Sequence, residues 1–291
     1  MEKITFIINP ISGHGKKKIV EKNIEAYLSP HFNIDIQYTK APKHATELSQ
    51  KASESSDIVV AVGGDGSIHE VGQALVGGHT KLGIIPMGSG NGLARHLKIP
   101  LNIKKAIEIL NQNYYQNIDV LDFGDIYGLN VSGMGFDAHI AHEFSNYGKR
   151  GFLSYIKLSF REFLKYQTQD YYIQIDDNQR FNTNAFLISL ANSSQFGNNA
   201  YIAPKAQIDD GYFELVILSS IKKRMAANIG LKLFTKKIDQ SKYIDIIKCK
   251  KLNISSNSQF AFHIDGEDMG VKNQIAVQIK PSSLKVIVPQ K

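Results

Sequence analysis

An apolar run, Ile58-Val59-Val60-Ala61-Val62, ends in Gly63-Gly64-Asp65-Gly66-Ser67 and continues into Ile68-His69-Glu70-Val71. This order predicts a buried strand, a tight glycine turn and the first turn of a helix, the repeating unit of a parallel α/β sheet. The glycines let backbone N–H groups approach a ligand with no Cβ in the way. The helix N-terminus adds the positive end of its dipole. Asp65 stands out, because a carboxylate repels phosphate unless a cation or a proton transfer lies between them. The turn therefore points to a nucleotide phosphate site with a metal rather than to a plain anion cradle.

The same texture fills residues 1–123. Strand patterns fall at 4–8, 34–37, 58–62 and 82–85, and helix patterns at 16–28, 45–53, 67–76, 91–97 and 103–110. Ligands of such sheets bind beyond the C-terminal strand ends. Asn9-Pro10, the 63–67 turn and the 86–92 loop all sit there and can converge on one crevice. After about residue 116 short strand patterns dominate, separated by Asn-, Asp- and Gly-rich turns. Strands are expected at 118–123, 171–175, 185–190, 213–218, 260–264, 275–279 and 284–288, with helices near 154–166 and 222–234. The expected fold class is α/β plus all-β. A doubly wound parallel-sheet nucleotide domain covers residues 1–123, with 285–291 free to return to it, and an antiparallel β-sandwich covers 124–284.

A chain of 291 residues, 43% apolar, is long enough for one or two domains with a real core. Cys249 is the single cysteine, which excludes an internal disulfide and a four-cysteine zinc site; a reducing cytosol is the expected compartment. The apolar run before Asn9-Pro10 is too short for a secretory leader. No window approaches the ~18 uninterrupted apolar residues of a membrane span. A cytoplasmic chain, or one peripheral to the inner face of the membrane, is expected. The net charge of +7 favours an anionic partner, with a merely solubilising surface as the alternative. Nucleic acid is not expected, because the basic residues are spread out and no matching module appears.

Two further loops carry chemistry. Asn9-Pro10-Ile11-Ser12-Gly13-His14-Gly15-Lys16 is a strand-to-helix turn without Walker A spacing; an ordinary capped turn is the alternative. Pro86-Met87-Gly88-Ser89-Gly90-Asn91-Gly92-Leu93-Ala94-Arg95 is a second glycine loop that leads into a helix. Two such loops at adjacent strand ends are far less expected by chance than one.

Together these loops resemble the diacylglycerol kinase catalytic-domain family of lipid kinases, which includes the sphingosine kinases and bacterial soluble lipid kinases. The resemblance spans almost the whole chain. It rests on the three loops, on Gly133-Met134-Gly135-Phe136-Asp137, on Ala203-Pro204 with Asp209-Asp210-Gly211, and on Asp265-Gly266-Glu267. It implies an ATP- and Mg²⁺-dependent kinase that phosphorylates a lipid hydroxyl at a membrane surface, with a homodimer left open. By that resemblance, Asn9, Thr39, Gly63, Gly64, Asp65, Gly66, Ser67, Ile68, His69, Gly88, Ser89 and Asn91 would serve the nucleotide. Asp65 would reach catalytic Mg²⁺ through water, and Glu267 would be the general base. Gln207, Asp210 and Tyr212 match the spacing of a second, structural or activating Mg²⁺ site. The reaction centre would be the cleft between the two domains. Gly92 stands where bacterial diacylglycerol kinases often carry an acid, and Ser89 replaces a Thr. The loop is thus closer to the sphingosine and ceramide kinase branch, which leaves the acceptor lipid open. An NAD kinase-like phosphotransferase, which shares the Gly-Gly-Asp-Gly turn, and a non-catalytic nucleotide or lipid sensor are the alternatives.

Weaker signals remain. Residues 221–237 hold six basic residues and no acid, and Met225, Ile229 and Leu233 share a helical face. The segment could lie on an anionic bilayer or pack on the β domain. The helix near 155–166 reads as core packing. His139, His142 and Glu143 lack zincin spacing and read as a surface or core pair.

Overall fold

The strand that carries the glycine turn is buried along its whole length, Ile58–Gly63, as expected of a parallel strand with helices on both faces. The computed structural model describes residues 1–15, 17–145, 152–163, 165–176, 178–221 and 223–290. The chain forms two compact units, Met1–Asp119 with Pro281–Lys291, and Val120–Lys280.

In the first unit the strands are β1 (Lys3–Ile8), β2 (Asn33–Tyr38), β3 (Ile58–Gly63) and β4 (Lys81–Pro86). The helices are α1 (Lys17–Tyr27), α2 (His44–Ser53), α3 (Asp65–Gln73), α4 (Gly92–His96) and α5 (Ile103–Gln112). β1 pairs in parallel with β2 on one side and β3 on the other, and β3 continues to β4. Ile4, Phe6 and Ile8 of β1 and Ile58, Val60 and Val62 of β3 share a core with Val20 and Ile24 of α1 and Ile107 and Leu110 of α5. Strand alternation turns Ile7, Val59 and Ala61, also buried, to the opposite face. There α2 packs on α3 through Ser49 Oγ, which donates to Val71 O at 2.9 Å. The loop after β1 therefore leads to one face and the loop after β3 to the other. Adjacent strands whose loops diverge in this way form the switch point where α/β sheets bind ligands.

β5 (Tyr115–Asp122) runs from the first unit into the second. The second unit continues with β6 (Tyr127–Gly128), β7 (Val131–Gly135), α6 (Phe136–Ser145), α7 (Phe152–Phe163), β8 (Gln169–Ile175) and β9 (Gln179–Ala191). There follow β10 (Gln195–Gly197), β11 (Ala200–Tyr201), β12 (Phe213–Ser219), α8 (Ala226–Phe234), β13 (Ile244–Cys249), β14 (Lys251–Ile264) and β15 (Glu267–Ile287). β9 and β14 are long enough to pair with β8 along one half and with β7 along the other. A register shift in β14 between Ser255 and Phe260 lets it turn between the two. All these pairings are antiparallel, and they enclose a core that includes Met134, Tyr171, Phe213, Leu252 and Phe262.

Several boundaries differ from expectation. α3 begins at Asp65, because Gly64 takes the extended N-cap conformation, so Asp65 lies in the first helical turn rather than in a loop. The runs at 275–279 and 284–288 belong to one strand, β15. Pro281 and Ser282 read as a break in the pattern, yet the strand runs through them, and Asp119 Oδ1 accepts from Ser282 N at 2.7 Å. β7, β13 and α6 were not expected: β7 reads Val-Ser-Gly-Met-Gly, poor in strand formers. The helix expected over 16–28 is Lys17–Tyr27 after a 3-10 turn at Ser12–Gly15; Lys16 lies outside the described residues. Lys222, and Leu164 of the helix expected near 154–166, also lie outside them. Phe163 of that helix packs edge-on to Phe136, 5.9 Å between centroids.

Glu214 on β12 is buried, with 4% of its surface exposed. Burial pushes its carboxyl up to about 7, against the pull of Lys248, its partner on β13, while Asp210 adds to the rise. A raised carboxyl favours the protonated folded state. This contribution is complete below the ordinary value of ~4.3 and is lost as pH climbs to about 7. Glu214→Gln is expected to remove that slope. In thermal melts between pH ~5 and ~8, the wild-type midpoint should fall relative to the variant's by several degrees; parallel curves would contradict it.

Candidate active site

The two glycine loops are joined by one carboxylate. Asp65 Oδ2 accepts from Asn91 N at 2.8 Å, and Oδ1 accepts from Gly92 N at 2.7 Å. Close approach of the loops requires glycine: a Cβ on Gly88 would lie 2.7 Å from Gly64 Cα, and one on Gly90 would lie 2.7 Å from Asp65 Oδ2. Met87 N donates to Gly63 O at 2.7 Å, which carries the β3–β4 ladder up to the loops. Asn91, in the left-handed conformation, closes the second loop on itself. Its Oδ1 accepts from Gly88 N at 3.0 Å and its Nδ2 donates to Gly88 O at 2.8 Å.

The remaining nucleotide candidates gather at the same strand ends. Asn9 Nδ2 donates to Ser67 Oγ at 3.2 Å, tying the loop after β1 to the first turn of α3. Thr39 N donates to Ile8 O at 3.0 Å, which sets Thr39 beside that loop. The α3 ladder begins at Ile68 N to Gly64 O, 3.0 Å, so the Gly66 and Ser67 N–H groups lie ahead of its first rung. Ser89 is exposed at the loop tip. The Ile68, His69 and Asn91 side chains are buried. Any service of these three to the nucleotide would therefore run through the backbone: Ile68 and His69 sit on the inner side of α3, and the Asn91 amide is taken up by Gly88. Backbone N–H groups with Ser67 and Ser89 hydroxyls make up an anion-binding set.

In the second unit, Glu267 opens β15 directly after a two-residue turn, Asp265-Gly266, with φ of 53° and 89°. Such a turn needs positive φ at both positions, hence Asp-Gly. The turn is anchored twice. Asp265 accepts from Leu129 N at 2.7 Å and Asn130 N at 2.8 Å. His263 Nδ1 accepts from Gly266 N at 3.1 Å, which puts the ring proton on Nε2, 3.2 Å from Asp137 Oδ2. Ser189 Oγ donates to the same oxygen at 3.2 Å, and a Cβ on Gly133 would stand 2.6 Å from it. The Gly133–Asp137 motif thus builds a buried Asp–His support under the turn that presents Glu267, which is itself exposed. His263 was missed by sequence reasoning; its one signal is its place two residues before Asp265.

Asp210 is already engaged. Its Oδ1 accepts from Tyr212 N at 3.1 Å, and its Oδ2 accepts from the Lys248 ammonium. That carboxylate holds Lys248 above its ordinary range. Gln207 is exposed, and Tyr212 carries Lys250 Nζ 4.8 Å from its ring centre. In the second-site reading the ion takes the Asp210 carboxylate and two backbone carbonyls; Asp210 Oδ2 is held here by Lys248, so an ion at this place would displace that lysine. Asp65 suits a hydrated Mg²⁺: a carboxylate has about four acceptor sites, and the ion keeps several waters. Among the described residues no three His, Cys, Asp or Glu side chains form a metal cage. His139 instead lies 3.4 Å from Glu162, and His142 lies 2.7 Å from Asp268. A cavity of about 340 Å³ opens among Phe163, Tyr166, Phe186 and Ile221.

Residues 3–123 match the diacylglycerol kinase catalytic domain, and residues 130–288 match the YegS C-terminal NAD kinase beta sandwich-like domain. The chain is 29% identical over 272 residues to a diacylglycerol kinase of Staphylococcus epidermidis, covering 90% of this chain and 84% of that protein. A diacylglycerol kinase of Staphylococcus aureus is 28% identical over 272 residues, covering 90% and 85%. A diacylglycerol kinase structure from Bacillus anthracis superposes with a TM-score of 0.76 at 22% identity, over 99% of this chain and 97% of that one. Yeast NADH kinase complexed with NADH aligns at a TM-score of 0.55 and 12% identity, over 100% and 84%; the likeness of these two structures is one of fold.

Gly90→Ala drives a methyl group into the Asp65 carboxylate and should loosen the paired loops. Calorimetric titration with ATP is expected to show affinity reduced at least about tenfold, or ~1.4 kcal/mol. Unchanged affinity would separate the loop pairing from nucleotide binding.

Proposed function

The chain belongs to the lipid kinase family that joins a diacylglycerol kinase catalytic domain to a YegS C-terminal NAD kinase beta sandwich-like domain, and on that premise we propose that it phosphorylates diacylglycerol with Mg²⁺ and ATP. The observation that carries this reading is the Asp65 carboxylate holding two glycine loops side by side at the β3 and β4 ends. The Gly66 and Ser67 N–H groups and the Ser67 and Ser89 hydroxyls bind the phosphates. Asp65 would hold the water shell of Mg²⁺, and the ion when bound neutralises charge on the transferred group. Glu267 takes the proton of the acceptor hydroxyl. The hydroxyl oxygen bonds to the γ-phosphorus as its bond to the bridging oxygen breaks, and ADP leaves with the electron pair. The aromatic-lined cavity of about 340 Å³ is of a size to take part of an acyl chain. Among the described residues no helix is long and apolar enough to cross a membrane, so the acceptor is met from the bilayer surface.

Diacylglycerol as acceptor follows the relatives named above. A sphingoid base is the second reading, favoured by Gly88-Ser89-Gly90-Asn91-Gly92, which carries no acid at position 92. A labelled-ATP assay over diacylglycerol, a sphingoid base, ceramide, phosphatidylglycerol and NAD⁺ separates the readings. Diacylglycerol should be the preferred acceptor, and Glu267→Gln should lower kcat by about 10²-fold or more while ATP affinity holds. Phosphorylation of NAD⁺ alone would overturn the lipid reading, and full activity of the variant would remove Glu267 as base.

A further inference from the structure

Helix α8 carries apolar side chains on both sides. Its inner side is accounted for: Ile229 is buried, and Leu233 packs on the cluster formed by Phe186, Val216 and Ile244. The face of Ile229 and Leu233 is therefore the one that docks on the β domain, with Met225 and Leu233 half-buried. Leu231 and Phe234 lie roughly 200° and 140° around the helix from Ile229, on its far side. They remain 62% and 46% exposed. A helix in water normally keeps that side polar.

The charges around this stripe have one sign. Arg224 lies before α8, Lys236 and Lys237 follow it, and all three are exposed. Lys236 extends across the Tyr201 ring at 4.5 Å. The nearest acid in sequence, Asp239, is paired with Lys205 at 2.8 Å. An exposed apolar stripe with cations at both ends matches the boundary of an anionic bilayer, where apolar groups enter the acyl layer and lysines meet phosphate headgroups.

We propose that the outer side of α8, with Leu231 and Phe234 as the inserted pair and Arg224, Lys236 and Lys237 as headgroup contacts, seats the chain on an anionic membrane surface. The inference rests on the lipid kinase reading for its choice of partner, since the acceptor resides in a bilayer. Vesicle binding without ATP is measured apart from turnover, so the two readings stand or fall separately.

The test is co-sedimentation of the full chain with phosphatidylcholine vesicles with and without phosphatidylglycerol. The wild type should bind the anionic vesicles and lose binding as salt rises. Leu231→Ser/Phe234→Ser and, separately, Lys236→Glu/Lys237→Glu should each reduce binding at least about tenfold. Both should keep the wild-type melting midpoint and turnover on a dispersed short-chain acceptor. Vesicle binding unaltered in both variants, or equal wild-type binding to neutral vesicles, would overturn the proposal. So would a wild-type dimer that the Leu231/Phe234 variant converts to monomer, since that face would then be covered by a second copy.

Discussion

The nucleotide end of the chain depends on one carboxylate that accepts two backbone N–H groups. Asp65 begins α3, and its oxygens hold Asn91 and Gly92 at the head of α4. Two loops rich in glycine would otherwise be costly to order, because glycine loses more conformational freedom than any other residue. Charge-assisted hydrogen bonds are among the stronger ones available, and here they span consecutive strand ends. An acid in a phosphate-binding turn is thereby given a structural task. It neutralises loop dipoles and fixes the distance between loops.

The second unit uses the same device. Asp265 accepts two consecutive N–H groups at Leu129 and Asn130 and so sets the hairpin that ends at Glu267. Asp137 supports that hairpin from below through His263. Asp65, Asp137 and Asp265 thus fix the loops and the hairpin, while Glu267, the proposed base, lies exposed at the hairpin's end. Near Asp210, Lys248 supplies the positive charge that faces the carboxylate.

Much of this was legible from sequence. β1, β3 and β4 are short, largely apolar runs and β2 alternates apolar with polar residues, so the first unit could be read nearly strand by strand. The motif residues marked where the sites lie but not what their side chains do. Asn91 sits in a glycine loop like a ligand-binding residue, yet its amide closes the loop on Gly88. Ile68 and His69 follow the turn but face inward. The second unit was harder to read. β7 is rich in glycine, β15 continues through Pro281, and His263 and Lys248 act across antiparallel neighbours distant in sequence. No local pattern announces such partners. The two sides of α8 show the same limit: periodicity identified Met225, Ile229 and Leu233 as a face, and only packing decides which face is covered.

The Asp65 carboxylate is the tie between the loops. The most direct measurement is amide hydrogen exchange at Asn91 and Gly92, without nucleotide, in the wild type and in Asp65→Asn. An amide side chain keeps the shape but sets its NH₂ group against one of the two donors. Exchange at both positions should accelerate by about tenfold or more, in line with ~1.5–3 kcal/mol for a hydrogen bond to a charged group, while amides of β1 keep their protection. Equal protection of Asn91 and Gly92 in the two proteins would contradict it.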